Sequence, residues 1–543
     1  MRNTLFVVLA VGLTALASTA AGEELDLLPL GGGGSATQLA SAPAGAFVDT
    51  AADRELSLSE LAAELVRARV VLIGEAHTEI EQKKFHGALL EAMAGLKGEL
   101  VLGMEFFLRG DQEALDAWIA GQIDDAELLR RTAWYDRGSY RFDYYRPVME
   151  VARSHRLRVV GLNVPREIPR AVNRGGLAAL SDEQRALVGV VATGGSPEHR
   201  YLISRYFGDT VAVMPSSWFD NMYAAQCLWD VVMARSILAN LRPQETMVVI
   251  VGTGHVAYGL GISRRISDEL AAAGRPPMAV ATFCPVVAPP PPDPEDEPAG
   301  HPMGGGDKGK GAGMGMGMAA AAASPASFTR GLADFVGVFV DAGGIEAFPQ
   351  LGFQLTDKEE APTVSMVFPD SIAAAAGLAA GDRIIDVNGV RPAGRSELRT
   401  LLAATEWRQR IGFMVERDGA QQEVAMLLYP QVDLSEPATA PGWSIAPAAE
   451  LDPEAGSPVA EAAEDLHPRS ILVRRNGAPQ WVEVWTGEAL DAVHEVDGDG
   501  RVVRSLYRAP LPDGAVEVRY RRAADGVLES AVRVDRSGRE LAP

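Results

Sequence analysis

The stretch VVLIGEAH at residues 70–77 decides the fold of the first half of the chain. An apolar run there enters a glycine-containing turn that carries Glu75 and His77. The same pattern recurs in MVVIVGTGH at residues 247–255, where a second apolar run is followed by a glycine-containing turn with His255. Buried strands with abrupt polar ends are typical of an open parallel sheet, which binds ligands beyond the carboxyl ends of its strands. The sequence therefore predicts that the two histidines share one site.

Two further apolar runs end at polar side chains in the same way. Leu100 to Met104 ends at Glu105, and Arg158 to Leu162 ends at Asn163. Stretches with helical periodicity lie between the runs, at Ile80 to Leu96, Asp111 to Arg131, Tyr144 to Arg156 and Trp218 to Asn240. Parallel crossover units require this alternation, so we predict an α/β domain with a mainly parallel sheet and flanking helices. The residues expected at its carboxyl rim are Glu75, His77, Glu105, Asn163 and His255.

Histidine and glutamate at such a rim allow several chemistries. Histidine serves as metal ligand, general base or haem ligand, and a carboxylate completes a metal shell, orients an imidazole or acts as a base. The set predicted to hold a divalent metal is Glu75, His77, His86, Glu105 and His255, with His86 reaching the rim from the first helix. Water activation on a metal and metal-free proton transfer both remain open. Four histidines have no supporting context and receive no role: His155, His199, His467 and His494.

The acidic composition excludes two classes of partner. A formal net charge of -22 argues against a general nucleic-acid binder, which needs concentrated Lys and Arg, and against adsorption to anionic lipid. The length of 543 residues exceeds what one hydrophobic core organises and predicts roughly three domains. Cys227 and Cys284 can form one disulfide in an oxidising compartment, although two isolated core thiols are the favoured interpretation.

The N-terminus predicts export. Arg2 precedes an apolar segment from Leu5 to Ala17, and small residues follow up to Gly22, which is typical of a signal peptide over residues 1–21. The segment is shorter than the roughly 20 apolar residues of a membrane-spanning helix, so no stable membrane insertion is expected after cleavage. The cleavage region contains no cysteine for lipid attachment. We therefore expect a soluble protein of the periplasm or the extracellular space that is not a lipoprotein.

Shifts in composition divide the remainder of the chain. We predict a flexible leader at 22–46, the first domain at 47–285, a Pro/Gly/Met-rich linker at 286–331, a second domain at 332–430, a linker at 431–465 and a small β-rich domain at 466–543. Polar and apolar residues alternate in the last segment, and turn signals such as Asp513-Gly514 and Asp525-Gly526 separate its apolar runs. This pattern predicts a small antiparallel all-β domain.

Several motifs in order give the first domain a family resemblance. They are Val71 to His77, Gly103 to Phe107 with Asp111-Gln112, Trp134, Tyr144 to Pro147, Gly161 to Glu167, Ala225-Gln226, Trp229-Asp230, Met233-Ala234 and Gly252 to Tyr258. With these motifs, residues 47–285 resemble the ChaN-like haem-binding uptake domains of the Tiki superfamily, which is related to the erythromycin esterases. The resemblance covers nearly half of the chain.

The resemblance implies two kinds of activity. ChaN-like proteins bind haem and are associated with iron acquisition, whereas Tiki relatives are described as metal-dependent proteases and the esterases hydrolyse a lactone. In the esterase comparison His77 matches the catalytic base and Glu105 its acidic partner, with Glu75 and His255 completing the site. In the haem comparison a tyrosine is the expected iron ligand, and the candidates are Tyr258, Tyr144 and Tyr145. The chain departs from many ChaN-like proteins because it lacks a lipidated cysteine.

The second domain resembles the PDZ domains of bacterial periplasmic proteases. The motifs that carry this resemblance, within residues 346–430, are Gln350 to Phe353, Ala376 to Ile384 and Val387 to Gly389. The resemblance implies an α+β fold that binds a polypeptide C-terminus or an extended peptide as an added strand. The residues expected to contact that peptide are Leu351, Gly352 and Phe353 in the turn and Leu398 and Leu402 on the helical wall.

Two functional hypotheses give the first domain a binding or catalytic role, and a third treats it as a catalytically silent scaffold. In the first, an exported protein binds haem or a divalent metal ion at the His/Glu rim and a polypeptide partner at the PDZ domain, as part of iron or haem handling. In the alternative, the rim is a metal-dependent or His/Glu-dependent hydrolase site, a peptidase or an esterase, and the PDZ domain recruits substrate. The sequence leaves open whether the chain is an enzyme.

Overall fold

The chain folds into two compact units, Met1–Asp341 and Ala342–Pro543. The computed structural model describes residues 25–30, 36–137, 140–189, 195–208, 211, 214–288, 325–340, 348–356, 362–369, 371–430, 443–447, 469–475, 478–486, 489–498, 501–523 and 528–541. The predicted signal peptide lies outside the described residues. No helix in the described ranges is long and apolar enough to cross a membrane.

The first unit alternates strands and helices, as the sequence predicts. Its strands are β1 Leu39–Ala42, β2 Phe47–Asp49, β3 Arg54–Leu56, β4 Val70–Glu75, β5 Leu100–Leu108, β6 Arg158–Asn163, β7 Thr246–Gly252, β8 Val280–Ala288, β9 Ala326–Thr329 and β10 Phe335–Val340. Its α-helices are α1 Leu58–Leu65, α2 Ile80–Leu96, α3 Gln112–Ile119, α4 Asp125–Arg131, α5 Arg146–Ser154, α6 Glu167–Gly175, α7 Asp182–Val188, α8 Pro197–Tyr206, α9 Ser216–Asn240 and α10 Ile262–Ala272.

An eight-stranded sheet in the order β3-β2-β10-β8-β4-β7-β5-β6 organises this unit. The six strands from β10 to β6 pair in parallel, and β2 and β3 add an antiparallel edge. Every residue of β4 and of β7 is buried, because both strands are rich in Val and Ile and are covered on both faces. The carboxyl ends of β4, β5, β6 and β7 therefore meet at one edge, which confirms the predicted α/β fold.

The segment predicted as a flexible leader differs from that prediction where it is described. Leu25, Leu28 and Leu30 are buried in the core of the first unit, and β1 pairs with β9 in a separate two-stranded sheet. The Tyr258 hydroxyl donates a 2.7 Å hydrogen bond to the Leu25 carbonyl. The Gly/Ala-rich average composition of residues 22–46 conceals this short leucine-rich stretch, which has enough apolar surface to pack.

The Pro/Gly/Met-rich segment connects strands of one unit and does not join two domains. β8 ends at Ala288 and β10 begins at Phe335, and the two strands are parallel neighbours in the same sheet. Residues 289–324 between them lie outside the described ranges. The predicted start of the second domain at residue 332 is therefore wrong, because β10 belongs to the first sheet. The sequence of an apolar strand next to a linker-like segment does not indicate whether the strand belongs to the domain before that segment or to the domain after it.

The two cysteines do not form a disulfide. Cys227 lies on α9 and Cys284 on β8, and both thiols are free and buried. The favoured interpretation of two isolated core thiols is therefore correct. Cys284 packs in the main core of the first unit, with its sulfur 4.0 Å from the Leu332 carbonyl oxygen.

The second unit combines an α+β domain with an antiparallel sheet. Its strands are β11 Phe353–Leu355, β12 Val364–Val367, β13 Arg383–Val387, β14 Gln409–Arg417, β15 Ala420–Leu428, β16 Trp443–Pro447, β17 Arg469–Arg475, β18 Ala478–Thr486, β19 Ala489–Val496, β20 Val502–Tyr507, β21 Ala515–Arg522 and β22 Leu528–Asp535, and its α-helices are α11 Ile372–Ala375 and α12 Arg395–Ala403. Strands β11 to β15 form two small sheets, and β16 to β22 form a seven-stranded meander.

The C-terminal meander begins earlier than predicted and packs on the neighbouring α+β domain. β16 falls inside the predicted linker at 431–465, yet it pairs with β17. Tyr429 packs against Trp481 with a ring-centroid distance of 5.4 Å, and Arg410 donates to the Tyr507 carbonyl at 3.0 Å. The small all-β domain predicted from alternation is confirmed, and its sheet shares an apolar cluster with β15.

A cleavage site inserted after Gly311 tests the placement of residues 289–324 within the first unit. After complete cleavage, both fragments are expected to remain associated, because β10 hydrogen-bonds to β8 and β2. Native size-exclusion chromatography followed by a denaturing gel measures this. The fragments should separate in urea, which serves as the control for complete cleavage. Elution of a free C-terminal fragment under native conditions would contradict the topology.

Candidate functional site

The end of β4 delivers a histidine that is held by a buried carboxylate. Glu75 is the last residue of the strand, and its side chain is 0% exposed. Its Oε1 lies 3.0 Å from Nδ1 of His77, whose side chain is 29% exposed. The turn between β4 and α2 is fixed because the Ala76 amide donates to Gln82 Oε1 at 2.7 Å. The Nδ1 atom of His77 is therefore in contact with Glu75, whereas Glu75 leaves Nε2 for another partner.

A set of buried polar side chains surrounds the Glu75 carboxylate. Lys83, on the first turns of α2, forms an ion pair with Oε2. His86, one turn further, places Nδ1 3.5 Å from the same oxygen. The Tyr145 hydroxyl donates to Oε1 at 3.0 Å, and Lys83 Nζ lies 4.9 Å from the centroid of the Tyr145 ring. Both oxygens of Glu75 are therefore occupied by protein groups.

These contacts set the charges beneath His77. Burial alone raises the pKa of Glu75, but the Lys83 ammonium and His77 outweigh it and hold that pKa well below its usual range. Burial lowers the pKa of His86 to about 3, so this imidazole is neutral. Burial also lowers the pKa of Lys83, against the opposing effect of Glu75. Burial and the Glu75 carboxylate raise the pKa of Tyr145 well above its ordinary value, so its hydroxyl remains a donor.

Aromatic rings flank the exposed histidine. The Phe106 ring meets the His77 ring edge-on with a centroid distance of 5.0 Å, and the Tyr140 ring lies 4.9 Å away. Burial and the nearby Glu105 carboxylate raise the pKa of Tyr140 to about 12. The neutral rings give His77 an apolar wall on two sides.

Glu105 and the end of β7 complete the rim around His77. Glu105 Oε2 accepts the Gly252 amide at 2.9 Å, which ties β5 to β7 at their carboxyl ends. A Cβ at Gly252 would lie 3.0 Å from Cε1 and 3.2 Å from Nε2 of His77, and 3.8 Å from Glu105 Oε2. The absent side chain of Gly252 therefore leaves room for the imidazole beside the Glu105 carboxylate.

A second histidine–carboxylate pair, His255 with Asp230, also lies near Glu105. His255 Nδ1 lies 2.6 Å from Oδ1 of Asp230, and His255 Nε2 lies 3.8 Å from Glu105 Oε1. Gln226, one turn before Asp230 on α9, places Nε2 2.9 Å from His255 Nδ1. Burial alone lowers the pKa of His255, but the Asp230 carboxylate and, to a smaller extent, Glu105 raise it above its ordinary value. The rim thus contains two imidazoles, each in contact with a buried acid, and Glu105 contacts one of them directly.

The Asp230 pair extends inward to a third histidine. His199 on α8 is buried, and its Nε2 lies 3.6 Å from Oδ2 of Asp230. Its Nδ1 lies 3.3 Å from the Tyr223 hydroxyl. Burial lowers the pKa of His199, so this imidazole is held neutral against Asp230. Asp230 therefore contacts two buried histidines through its two oxygens.

The rim predicted from strand ends is brought together, with differences in detail. Asn163 supports the rim indirectly, because its Nδ2 donates to the Glu105 carbonyl at 3.3 Å. β5 continues past Glu105 to Leu108, with a shift in its pairing to β6 after Met104. His86 does not reach the rim, because it is buried beneath the Glu75 carboxylate.

The five residues predicted as metal ligands do not form a ligand set. Within the described ranges, no group of three or more His, Cys, Asp or Glu side chains is arranged to hold a metal ion. Glu75 is engaged by Lys83, Tyr145 and His77, and Glu105 by the Gly252 amide. The Lys83 ammonium therefore pairs with the Glu75 carboxylate, which was expected to bind a metal ion. The prediction considered only residues at the ends of strands, and Lys83 lies on a helix.

The three tyrosines expected to ligate haem iron do not present their hydroxyls at the rim. Tyr258 is buried in the main core, and its hydroxyl donates to the Leu25 carbonyl. Tyr145 is fully buried with its hydroxyl on Glu75. Tyr144 is buried as well. The tyrosine that does lie beside His77 is Tyr140.

Several site residues were missed because they lie on helices or loops. Lys83 shares the buried stripe of α2 with His86, Gly87 and Leu90, and this i, i+3, i+4, i+7 spacing was the available signal. Asp230 and Gln226 lie one helical turn apart within family motifs, but they carried no assigned role. The unassigned His199 also proved to be part of the network.

The sequence assigned no role to three other histidines. His155 pairs with Glu91 at the surface, His494 bonds Ser505 in the C-terminal sheet, and His467 lies outside the described residues.

The second unit presents a candidate peptide groove at β11. Gly352 has a φ of +82°, a left-handed backbone conformation that favours glycine in the turn before the strand. Among the described residues β11 pairs with β12 alone, which leaves its other edge for an added strand. Leu402 on α12 is partly buried against the core, whereas Leu398 is fully buried. Leu398 therefore supports the helical wall from within the domain and does not contact a peptide there.

Two family models match the chain. The model described as "Haem-binding uptake, Tiki superfamily, ChaN" matches residues 61–266, and a PDZ domain model matches residues 349–428. The chain therefore contains a ChaN-like domain of the Tiki superfamily followed by a PDZ domain. Both resemblances stated from the sequence are confirmed. No curated protein sequence matches the chain significantly.

Solved structures with low sequence identity are similar to parts of the chain. ChaN of Campylobacter jejuni, described with cofacial haem binding, is 15% identical with a TM-score of 0.39 over 54% of this chain and 95% of that chain. A mutant of the erythromycin esterase EreC in its open conformation is 13% identical with a TM-score of 0.27 over 48% and 81%. The HtrA-type protease AlgW with a decapeptide is 20% identical with a TM-score of 0.15 over 16% and 30%. The domain assignment rests on the two family models.

Replacement of Asp230 by Asn is expected to lower the pKa of His255, because the carboxylate that stabilises the imidazolium is removed. NMR titration of the His255 ring measures this pKa in both proteins. The folded-state pKa of His255 is raised, so its stabilising contribution is fully present below the ordinary value of about 6.5 and is lost as the pH rises through the folded-state value. The stability difference between wild type and Asp230→Asn should therefore shrink from acidic to alkaline pH.

The matched control for that experiment is Asp220→Asn on the same helix. Asp220 forms an exposed ion pair with Arg200, so its replacement should leave the His255 titration unchanged. An unchanged His255 titration in Asp230→Asn as well would contradict the role assigned to Asp230.

Proposed function

We propose that the ChaN-like domain binds haem at the rim and that His77 would be a ligand of its iron. The observation that carries the proposal is the Glu75–His77 pair, in which a buried carboxylate lies 3.0 Å from Nδ1 of a histidine whose side chain is 29% exposed, so that Glu75 does not occupy Nε2. Ligating histidines commonly donate the opposite ring nitrogen to a carboxylate, which fixes the ring and its tautomer. A proximal histidine is also one of the standard protein ligands of haem iron.

The surroundings of His77 fit a flat, largely apolar ligand. Phe106 and Tyr140 flank the imidazole with centroid distances of 5.0 and 4.9 Å, and both rings offer apolar surface for a macrocycle. When bound, haem supplies a redox-active iron. Glu75 would orient His77 towards that ligand. Because Gly252 has no side chain, the imidazole can occupy its position beside the end of β7. The haem-binding name of the matching family agrees with this assignment.

The PDZ domain supports a second binding function, for a polypeptide. We propose that an extended peptide adds to the open edge of β11 and that its terminal carboxylate meets the backbone amides of the turn at Leu351, Gly352 and Phe353. The partly buried Leu402 would contact an apolar peptide side chain from α12. In combination with the predicted export, the whole chain would act in periplasmic or extracellular handling of haem or iron together with a protein partner.

Hydrolysis is the second candidate function, and one observation favours it. His77 is oriented by Glu75, and both His77 and the Glu105 carboxylate border Gly252. A histidine base that is oriented by one carboxylate and has a second carboxylate nearby is an arrangement used in acyl transfer. His255, whose pKa is raised by Asp230, would then supply a proton donor next to Glu105, since its Nε2 lies 3.8 Å from Glu105 Oε1. Assay of peptide and ester substrates with the same protein samples separates this candidate from haem binding.

Hemin titration tests the primary proposal. A saturable shift of the Soret band is expected for the wild-type protein, and His77→Ala should weaken binding by about tenfold or more, since it removes the proposed ligand. The matched control is His155→Ala, because His155 is a surface histidine of the same domain that pairs with Glu91. Absence of a Soret shift in both oxidation states, or equal binding by His77→Ala, would reject the haem proposal.

Peptide binding by the PDZ domain is measured by fluorescence anisotropy with labelled peptides. Peptides with an apolar last residue and a free carboxylate should bind, and amidation of that carboxylate should abolish binding. Leu402→Arg is expected to weaken binding by roughly tenfold or more, because it places a charge on the apolar helical wall. Thr400→Arg, at an exposed position of α12, is the control that should bind normally. Equal affinity for free and amidated peptides would contradict the carboxylate contact.

A further inference from the structure

Lys83 is an ammonium group enclosed in the protein directly beneath the rim. Its side chain and that of Glu75 are both 0% exposed, and the two form an ion pair through Oε2. A buried ion pair contributes little net stability, since both charges lose their hydration, and apolar side chains of similar volume often replace such pairs without loss. The position of Lys83 on the buried stripe of α2 would suit an apolar residue equally well. The pair therefore calls for an explanation other than stability.

The contacts of the carboxylate supply that explanation. Lys83 occupies Oε2, and the Tyr145 hydroxyl donates to Oε1 at 3.0 Å, so the carboxylate is held through both oxygens. Oε1 is also the atom that lies 3.0 Å from His77 Nδ1. Rotation of the carboxylate would break the contact with Lys83 and the contact with His77 together. The buried groups thus hold Oε1 in one direction, towards the imidazole.

We propose that Lys83 is a positioning residue for His77 and acts through Glu75. Lys83 compensates the charge of Glu75 inside the protein and fixes the plane of its carboxylate, and the carboxylate in turn holds Nδ1–H of His77. The ring is then held in one orientation before any ligand arrives, with Nδ1 on Glu75 and Nε2 beside Gly252. The functional consequence rests on the proposed ligand role of His77, but the orientation itself is a property of the ligand-free protein.

NMR of the ligand-free protein tests the orientation directly. A ring N–H that donates to a carboxylate gives a low-field proton resonance, and its absence in His77→Ala assigns it to His77. Lys83→Met is expected to abolish or shift this resonance and to weaken hemin binding by about tenfold, as is typical when a residue that orients a ligating histidine is lost. The matched control is Lys84→Met, since Lys84 is the next residue on α2 but is exposed and pairs with Glu81. Lys84→Met should leave both measurements unchanged.

A double variant covers the case in which Lys83→Met leaves Glu75 uncompensated and fails to fold. Glu75→Gln/Lys83→Met removes both charges, so it should melt at a higher temperature than Lys83→Met while still lacking the low-field resonance. A resonance that is unchanged in Lys83→Met, or a double variant no more stable than Lys83→Met, would overturn the proposal. If the wild-type protein binds no hemin but the resonance responds as expected, the haem proposal fails and the positioning role of Lys83 stands.

Discussion

The ion pair between Lys83 and Glu75 is the interaction on which the site depends. Both side chains are enclosed at the point where β4 meets α2, and the same carboxylate holds His77 through its other oxygen. A carboxylate in this position without Lys83 would carry an uncompensated charge, which a protein interior tolerates poorly. The orientation of the exposed histidine is thus linked to a charge balance that lies entirely below the surface.

The rim repeats this construction on its other side. His255 is held by the buried Asp230, as His77 is held by the buried Glu75, and His255 Nε2 lies 3.8 Å from Glu105. The two imidazoles nevertheless differ in exposure, because His255 is buried whereas His77 reaches the surface. For this reason the haem proposal gives contact with the ligand to His77 and a supporting role to His255, and the hydrolytic proposal makes His255 a proton donor.

The segments that build the first unit are not continuous in composition. The Pro/Gly/Met-rich segment resembles an interdomain linker in composition, yet the strands on either side of it are neighbours in one sheet. The leucines that precede β1 close the core next to Tyr258 and Thr329. The first unit is therefore assembled from segments on both sides of residues 289–324, and the PDZ domain and the C-terminal meander follow as a second unit.

The sequence by itself determined the four strands β4, β5, β6 and β7, their parallel arrangement and the convergence of Glu75, His77, Glu105 and His255 at one edge. Apolar runs with polar ends are local signals, and parallel strands bring those ends to one edge whatever the remaining packing is. Only the tertiary structure decided which groups hold these residues. Lys83, Asp230 and Tyr145 lie on or beside helices, and sequence spacing does not show which buried helical side chains face a strand end. For the same reason the predicted metal set and the tyrosine ligands did not assemble, since the positions of a carboxylate and its counter-charge depend on how helices dock on the sheet.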